Sequence, residues 1–204
     1  MEKIDQRILH SNIINTFILG IIWGFLELIE NKFLMSNNIF TKGLIISLVT
    51  FFILIFSKKI IVYKGSLLIM AAIALMIIFA ARGYFFNIML AVFAQAFIAE
   101  IIFSFLKFRL ASTIIVSTLI FLYTFIHGLV CQGSLLGSYV VYQYQHLFST
   151  LTGISISKEK YLIVLLFFGF ITLIVGVAVG WLGFILVKEF DKNKVKGKFK
   201  KFVY

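Results

Sequence analysis

The chain has 204 residues, of which 62% are hydrophobic and 13% are charged, so it is far more apolar than an average soluble domain. The apolar residues form long runs without the periodicity of half-exposed helices or strands, which argues against a soluble enzyme. The net charge of +11 lies at the ends of these runs and in the C-terminal segment, which indicates membrane topology and not nucleic-acid binding. One cysteine allows no internal disulfide, and no Cys/His cluster predicts a metal or a redox cofactor.

A helix that crosses the hydrocarbon core of a bilayer needs about 20 mostly apolar residues. The sequence therefore predicts an all-α, polytopic membrane protein with a bundle of about six transmembrane helices. They form a single transmembrane domain over 1–187, followed by a polybasic tail over 188–204. The second segment is short, so a re-entrant hairpin of the second and third segments stays open. The predicted spans are 13–31, 43–57, 66–81, 84–106, 110–130 and 161–187.

Basic residues are retained on the cytoplasmic side of a membrane, and most of the 19 Lys and Arg residues fall on one side of the predicted bundle. This side contains both ends of the chain, so we predict a cytoplasmic N-terminus and a cytoplasmic C-terminus. We expect the lysine-rich tail to bind anionic lipid, with a binding free energy of about 1 kcal/mol per basic residue near the surface.

Polar and small residues form a narrow stripe on the first predicted helix. Gly20 and Gly24 form a GxxxG pattern, which allows another helix to approach closely. With Trp23, which is too deep for an interfacial belt, they predict either packing inside the bundle or docking of another subunit. Glu27 and Glu30 lie near the predicted outer end of this helix. They are either interfacial carboxylates in water or residues that contact a ligand. The stripe contains Thr16, Gly20, Trp23, Glu27 and Glu30.

Ionisable residues within a spanning helix are costly and usually face protein or water. The fourth helix contains the ionisable Glu100 and the uncharged polar residues Asn87 and Gln95. We expect Glu100 to form an ion pair with Lys107 or Arg109, with contact to a cytoplasmic partner or proton chemistry as alternatives.

The fifth helix has His127 one turn before Cys131 at its outer end. An HxxxC spacing could place a base beside a thiol, as in an intramembrane cysteine peptidase. A metal or haem role that adds His146 is a further alternative, and an ordinary hydrogen-bonded histidine is the simplest one.

The predicted outer loop over 131–160 is too long for a minimal connector and predicts an interfacial helix or a lid. Its aromatic and amide side chains suit either an interfacial belt or closure over a small ligand. Because several polar groups from the helices reach the same outer side, we predict a substrate site there. Its candidate residues are Glu27, Glu30, Arg82, Asn87, His127, Tyr142, Gln143, Gln145 and His146.

The segments GIIWGFLELIE at 20–30 and NIMLAVFAQAFIAEIIF at 87–103 resemble the substrate-binding S components of bacterial energy-coupling factor (ECF) transporters. The resemblance implies six helices with cytoplasmic termini in the bacterial cytoplasmic membrane. It also implies docking of a transmembrane coupling subunit on the first helix, through Gly20, Trp23 and Gly24. The implied substrate is a vitamin or a similar scarce small molecule.

The sequence has no GxxxxGK[ST] phosphate-binding loop, so in this hypothesis two partner ATPases hydrolyse ATP and the chain itself binds without catalysis. Two other hypotheses stay open. One is an intramembrane cysteine peptidase or a lipid-modifying enzyme, and the other is a structural subunit of a larger membrane complex.

Overall fold

The computed structural model describes the backbone of residues 2–33, 39–61, 63–83, 86–131, 138–155 and 160–200. Side chains are described for 10–29, 40–61, 63–83, 86–131, 139–155 and 160–190. Within these ranges the chain forms seven helices and no strand. The helices are α1 (Glu2–Phe33), α2 (Ile39–Ile60), α3 (Ser66–Arg82), α4 (Phe86–Leu106), α5 (Leu110–Cys131), α6 (Ser138–Thr152) and α7 (Tyr161–Lys200).

Five of the described helices, α1, α2, α4, α5 and α7, are long and apolar enough to cross a membrane, which makes the chain a multi-pass membrane protein. The short segment is not the one expected. Helix α2 has 22 residues because Thr41, Lys42, Lys58 and Lys59 continue the helix at its polar ends. Helix α3 has 17 residues and is about 25 Å long, slightly less than the hydrocarbon core.

Helix α1 packs against α3 through the GxxxG pattern. A Cβ atom on Gly20 would lie 2.9 Å from Ile73 Cβ and 2.9 Å from the Met70 carbonyl oxygen. A Cβ atom on Gly24 would lie 3.0 Å from Ile77 Cβ. The two backbones approach closely because these positions lack side chains.

The structure shows a packing role within the chain for Gly20, Gly24 and Trp23. Helix α3 of the same chain occupies the glycine face, and Trp23 is completely buried in the core. Of the two interpretations of the pattern, packing inside the bundle is the one that the structure shows.

Helices α5 and α7 also pack through glycines, which the sequence pattern did not single out. Cβ atoms on Gly176 and Gly180 would lie 2.7 Å from Thr118 Cα and 2.6 Å from Ile114 Cα, respectively. Since a backbone atom is the obstacle at both positions, the two helices are in direct main-chain contact there.

The Glu100 carboxylate connects α2, α3 and α4 at one end of the bundle. Its Oε1 accepts hydrogen bonds from Lys58 Nζ at 2.7 Å and from the Gly65 amide at 2.8 Å, and its Oε2 accepts one from the Leu67 amide at 3.1 Å. Glu100 therefore supplies the anionic cap that the N-terminal turn of α3 lacks, because Gly65 has no side chain.

The expected ion pair of Glu100 with Lys107 or Arg109 is wrong, since the partner is Lys58. Helix α4 ends at Leu106, and Lys107 has a positive φ of 56° in the turn to α5. This turn directs the chain away from the helix, and both predicted partners are exposed to solvent or headgroups.

Helix α6 confirms the predicted helix in the 131–160 loop. Its buried face, with Val140, Tyr144 and Phe148, packs against Tyr161 and Phe168 of α7. At the other end of the chain, α7 continues without interruption past the predicted domain boundary at 187 as far as Lys200.

Candidate ligand cavity

A cavity of about 590 Å³ opens at the end of the bundle where α1 and α5 finish and where α2 and α4 begin. Its volume is in the usual range for a site that binds a small organic molecule. The wall is mostly apolar, with separate polar groups from six helices. These groups are Glu27, Lys42, Asn87, Gln95, Thr124, His127, Cys131, Tyr144 and Thr172.

Glu27 of α1 is a buried part of the cavity wall. Its Oε1 accepts a hydrogen bond of 3.2 Å from Trp23 Nε1, one turn earlier on the same helix. The same oxygen accepts a hydrogen bond of 3.3 Å from Thr50 Oγ1 of α2. These two donors fix the orientation of the carboxylate, which gives the cavity a positioned acidic group.

Gln95 and Thr124 form a second fixed polar pair deeper in the bundle. Gln95 Nε2 donates to Thr124 Oγ1 at 3.0 Å, and that hydroxyl donates to the Ile120 carbonyl at 2.9 Å. Gln95 is nearly fully buried, which costs free energy because its amide loses contact with water. The hydrogen bond to Thr124 offsets part of this cost. Both residues line the cavity.

His127 and Cys131 are adjacent in the cavity wall, as their spacing of four on a helix predicts. The distance from Cys131 Sγ to His127 Nε2 is 3.4 Å. The imidazole also has a hydrogen bond with the backbone of Asn87 and lies 5.4 Å from the ring of Tyr123. Among the residues with described side chains there is no group of three or more His, Cys, Asp or Glu that could hold a metal ion.

Aromatic rings form the part of the wall nearest to α6. Phe40, Phe125 and Tyr144 all line the cavity, with ring centroids 6.1 to 6.3 Å apart. Burial raises the pKa of Tyr144 well above its usual range, and the nearby Tyr161 adds to this effect. Tyr144 therefore remains neutral at physiological pH and keeps its hydroxyl proton as a hydrogen-bond donor.

Three of the predicted substrate-binding residues, Glu27, Asn87 and His127, are brought together in this cavity. Arg82 is not among its lining residues, because its Nη2 donates to the Leu28 carbonyl oxygen at 3.0 Å. The side chain of Glu30 lies outside the described residues.

The predicted α6 residues do not line the cavity, and these are Tyr142, Gln143, Gln145 and His146. Tyr142 is 64% exposed, and His146 is also exposed, on the side opposite to the bundle. Gln143 Nε2 donates to the hydroxyl of Tyr139 at 2.9 Å, and neither Gln143 nor Gln145 lines the cavity. Tyr144 lines it instead, as the Val140, Tyr144 and Phe148 spacing of four could have indicated.

Other cavity residues were missed for different reasons. Lys42 is close to the beginning of α2, where a lysine is normally assigned to the headgroup region. Thr172 lies in the middle of a long apolar helix, and no local pattern distinguishes it from a residue that hydrogen bonds to its own helix. Its hydroxyl does donate to the Phe168 carbonyl oxygen, at 2.8 Å.

Comparison with protein-family models, with curated proteins and with solved structures found no significant match to this chain.

Proposed function

We propose that this multi-pass membrane protein binds a small organic molecule in the cavity and acts as the substrate-capture subunit of an ECF-type importer. The observation that carries the proposal is the cavity itself, in which an apolar and aromatic wall surrounds a few oriented polar groups. Sites for small molecules commonly have this composition. An ordinary structural bundle has no need for Glu27, Gln95 and His127 around one opening, because each of them is costly within a membrane.

In this proposal the protein lies in the bacterial cytoplasmic membrane with both termini in the cytoplasm and the cavity towards the outside. A transmembrane coupling subunit and two cytoplasmic ATPases would supply the energy, and the basic C-terminal tail would contact anionic lipid. Since α3 covers the Gly20 and Gly24 face, the coupling subunit must dock on another surface. A vitamin or a similar scarce compound is the proposed substrate.

Mass spectrometry of small molecules retained by the purified protein tests the binding function. We expect one compound to be released in about equimolar amount when the protein is denatured. We also expect ATPase subunits to copurify from the native host. A protein that retains no compound, and that copurifies with no ATPase, would contradict the proposal.

A second candidate function, an intramembrane cysteine peptidase or a lipid-modifying enzyme, is favoured by the contact between Cys131 and His127 inside the cavity. A thiol beside an imidazole is the minimum arrangement for nucleophilic catalysis. Replacing Cys131 by Ser distinguishes the two functions. The capture function predicts that the variant still retains the compound, whereas the enzyme function predicts loss of turnover of a peptide or lipid substrate.

A further inference from the structure

We propose that the ligand is a flat aromatic or heteroaromatic molecule with a positively charged nitrogen group, and that Glu27 binds this group. The inference deepens the proposed function and depends on it, because it names the class of molecule that the cavity takes. Three features of the described residues lead to this class: the position of one carboxylate, the nature of the adjacent wall and the place of the cavity's lysine in the first turn of α2.

The first feature is the position of Glu27. It lies six residues before the end of α1 at Phe33, which is about 9 Å along the helix axis. Both Trp23 and Thr50 donate to Oε1, so the carboxylate is held in one orientation before a ligand arrives. A positioned carboxylate in an apolar wall favours a ligand that carries N–H donors and a positive charge, since charge-assisted hydrogen bonds are the strong ones.

The second feature is the aromatic part of the wall. Phe40, Phe125 and Tyr144 contribute three rings to the cavity, and their arrangement relative to one another is mostly edge to face. Rings in such a wall can pack against a flat ligand, and their faces also attract a cation. An aliphatic cation would use the second effect alone, so an aromatic cation fits the wall better.

The third feature is Lys42, which is the competing charge in the cavity. It lies in the first turn of α2, three residues after the beginning of the helix. From a helix end, a lysine can extend its ammonium group towards water or headgroups. We therefore assign the cationic group of the ligand to Glu27, whose carboxylate is held by Trp23 and Thr50, while Lys42 can accept an anionic substituent.

Three probes of nearly equal shape and different charge test this assignment: benzamidine, benzamide and benzoate. Cys131 is the only cysteine of the chain and lines the cavity, so protection from N-ethylmaleimide measures occupancy directly. The protein is dialysed in detergent to remove any retained compound. The rate of alkylation is then measured at increasing concentrations of each probe.

We expect benzamidine to protect Cys131 at about ten-fold lower concentration than benzamide, and benzoate to protect least. Glu27→Gln, which keeps the size and one acceptor oxygen, should remove the preference for benzamidine. Glu189→Gln removes the same charge at an exposed position of α7, seventeen residues after the cavity residue Thr172, and should retain the preference. In a Cys131→Ser, Thr150→Cys variant, the exposed thiol on α6 should react at the same rate with and without probe.

Better protection by benzoate would overturn the proposal and assign Lys42 as the main binding group. Equal protection by all three probes, protection by none, or an unchanged preference in Glu27→Gln would also overturn it. None of these results affects the retained-compound measurement, which tests the proposed function itself. A protein that retains a neutral or acidic compound would keep the capture function and lose this assignment of its ligand.

Discussion

Two buried carboxylates, one at each end of the bundle, are stabilised by different sets of partners. Glu100 has a lysine at 2.7 Å and two backbone amides, so its negative charge is neutralised inside the protein. The side chains of Lys58 and Glu100 are only 10% and 7% exposed, which makes this a buried ion pair. Glu27 accepts from an indole and a hydroxyl beside an open cavity. Glu100 therefore stabilises the junction of three helices, whereas Glu27 is part of the cavity wall.

Lys58→Met should strongly destabilise the protein, by about 3–5 kcal/mol, because it leaves the Glu100 carboxylate buried without its cation. The same change at Lys107, which is exposed, should alter the free energy of unfolding by less than about 0.5 kcal/mol. Reversible unfolding in mixed detergent micelles measures both values.

The double variant Lys58→Met, Glu100→Gln should recover part of the loss, since both charges are removed together. If the loss in the double variant equalled the sum of the losses in Lys58→Met and Glu100→Gln, the two side chains would not be energetically coupled. A large loss of unfolding free energy in Lys107→Met would instead support the ion pair of Glu100 with Lys107 that the sequence predicted.

At the scale of the helices, glycine positions determine how closely two helices pack, because a glycine lets the neighbouring backbone approach. Gly180→Leu places a side chain where a Cβ atom would already lie 2.6 Å from Ile114 Cα, and this backbone cannot rotate away. We expect α5 and α7 to separate, with a loss of about 1–3 kcal/mol or more in unfolding free energy.

Gly169→Ala on the same helix is the matched control, because its Cβ atom would make an ordinary 3.6 Å contact with Phe125 Cε1. Alanine also favours helix formation over glycine by about 1 kcal/mol. The control should therefore be neutral or stabilising, and equal losses in both variants would argue against the close α5 and α7 contact.

The helices themselves could be predicted because long apolar runs in a membrane leave no alternative to hydrogen-bonded helices. Their partners could not. Gly20 and Gly24 indicate a close approach, but the same pattern serves a neighbouring helix or another subunit. Glu100 was expected to form an ion pair, but its partner Lys58 is distant in sequence, as the Leu28 carbonyl is from Arg82. Spacing within one helix predicted the contact of His127 with Cys131, because no long-range information was required.

For the molecule as a whole, the route of α3 connects the two ends of the bundle. Its first turn is capped by Glu100, close to the end of α4, and its last residue, Arg82, donates to the Leu28 carbonyl, close to the end of α1. The N-terminal end of α3 therefore contacts α4 near the C-terminal end of α4, and the C-terminal end of α3 contacts α1 near the C-terminal end of α1. A short helix with these contacts traverses nearly the same distance as its neighbours, and hydrophobic mismatch of a few Å costs little.

This route predicts six crossings, and an even number places both termini on one side of the membrane, which the distribution of basic residues assigns to the cytoplasm. Epitope tags at residues 1 and 204 should be accessible to antibody only after permeabilisation of the cells. In a Cys131→Ser background, Thr150→Cys on α6 should react with an impermeant maleimide in intact cells, because the distribution of basic residues predicts that α6 lies on the outer side. Tags on opposite sides would mean that α3 does not cross, since the five long helices alone give an odd number of crossings. Two accessible tags with an unreactive Thr150→Cys would reverse the orientation and place the cavity towards the cytoplasm, where a capture subunit for import has no use for it.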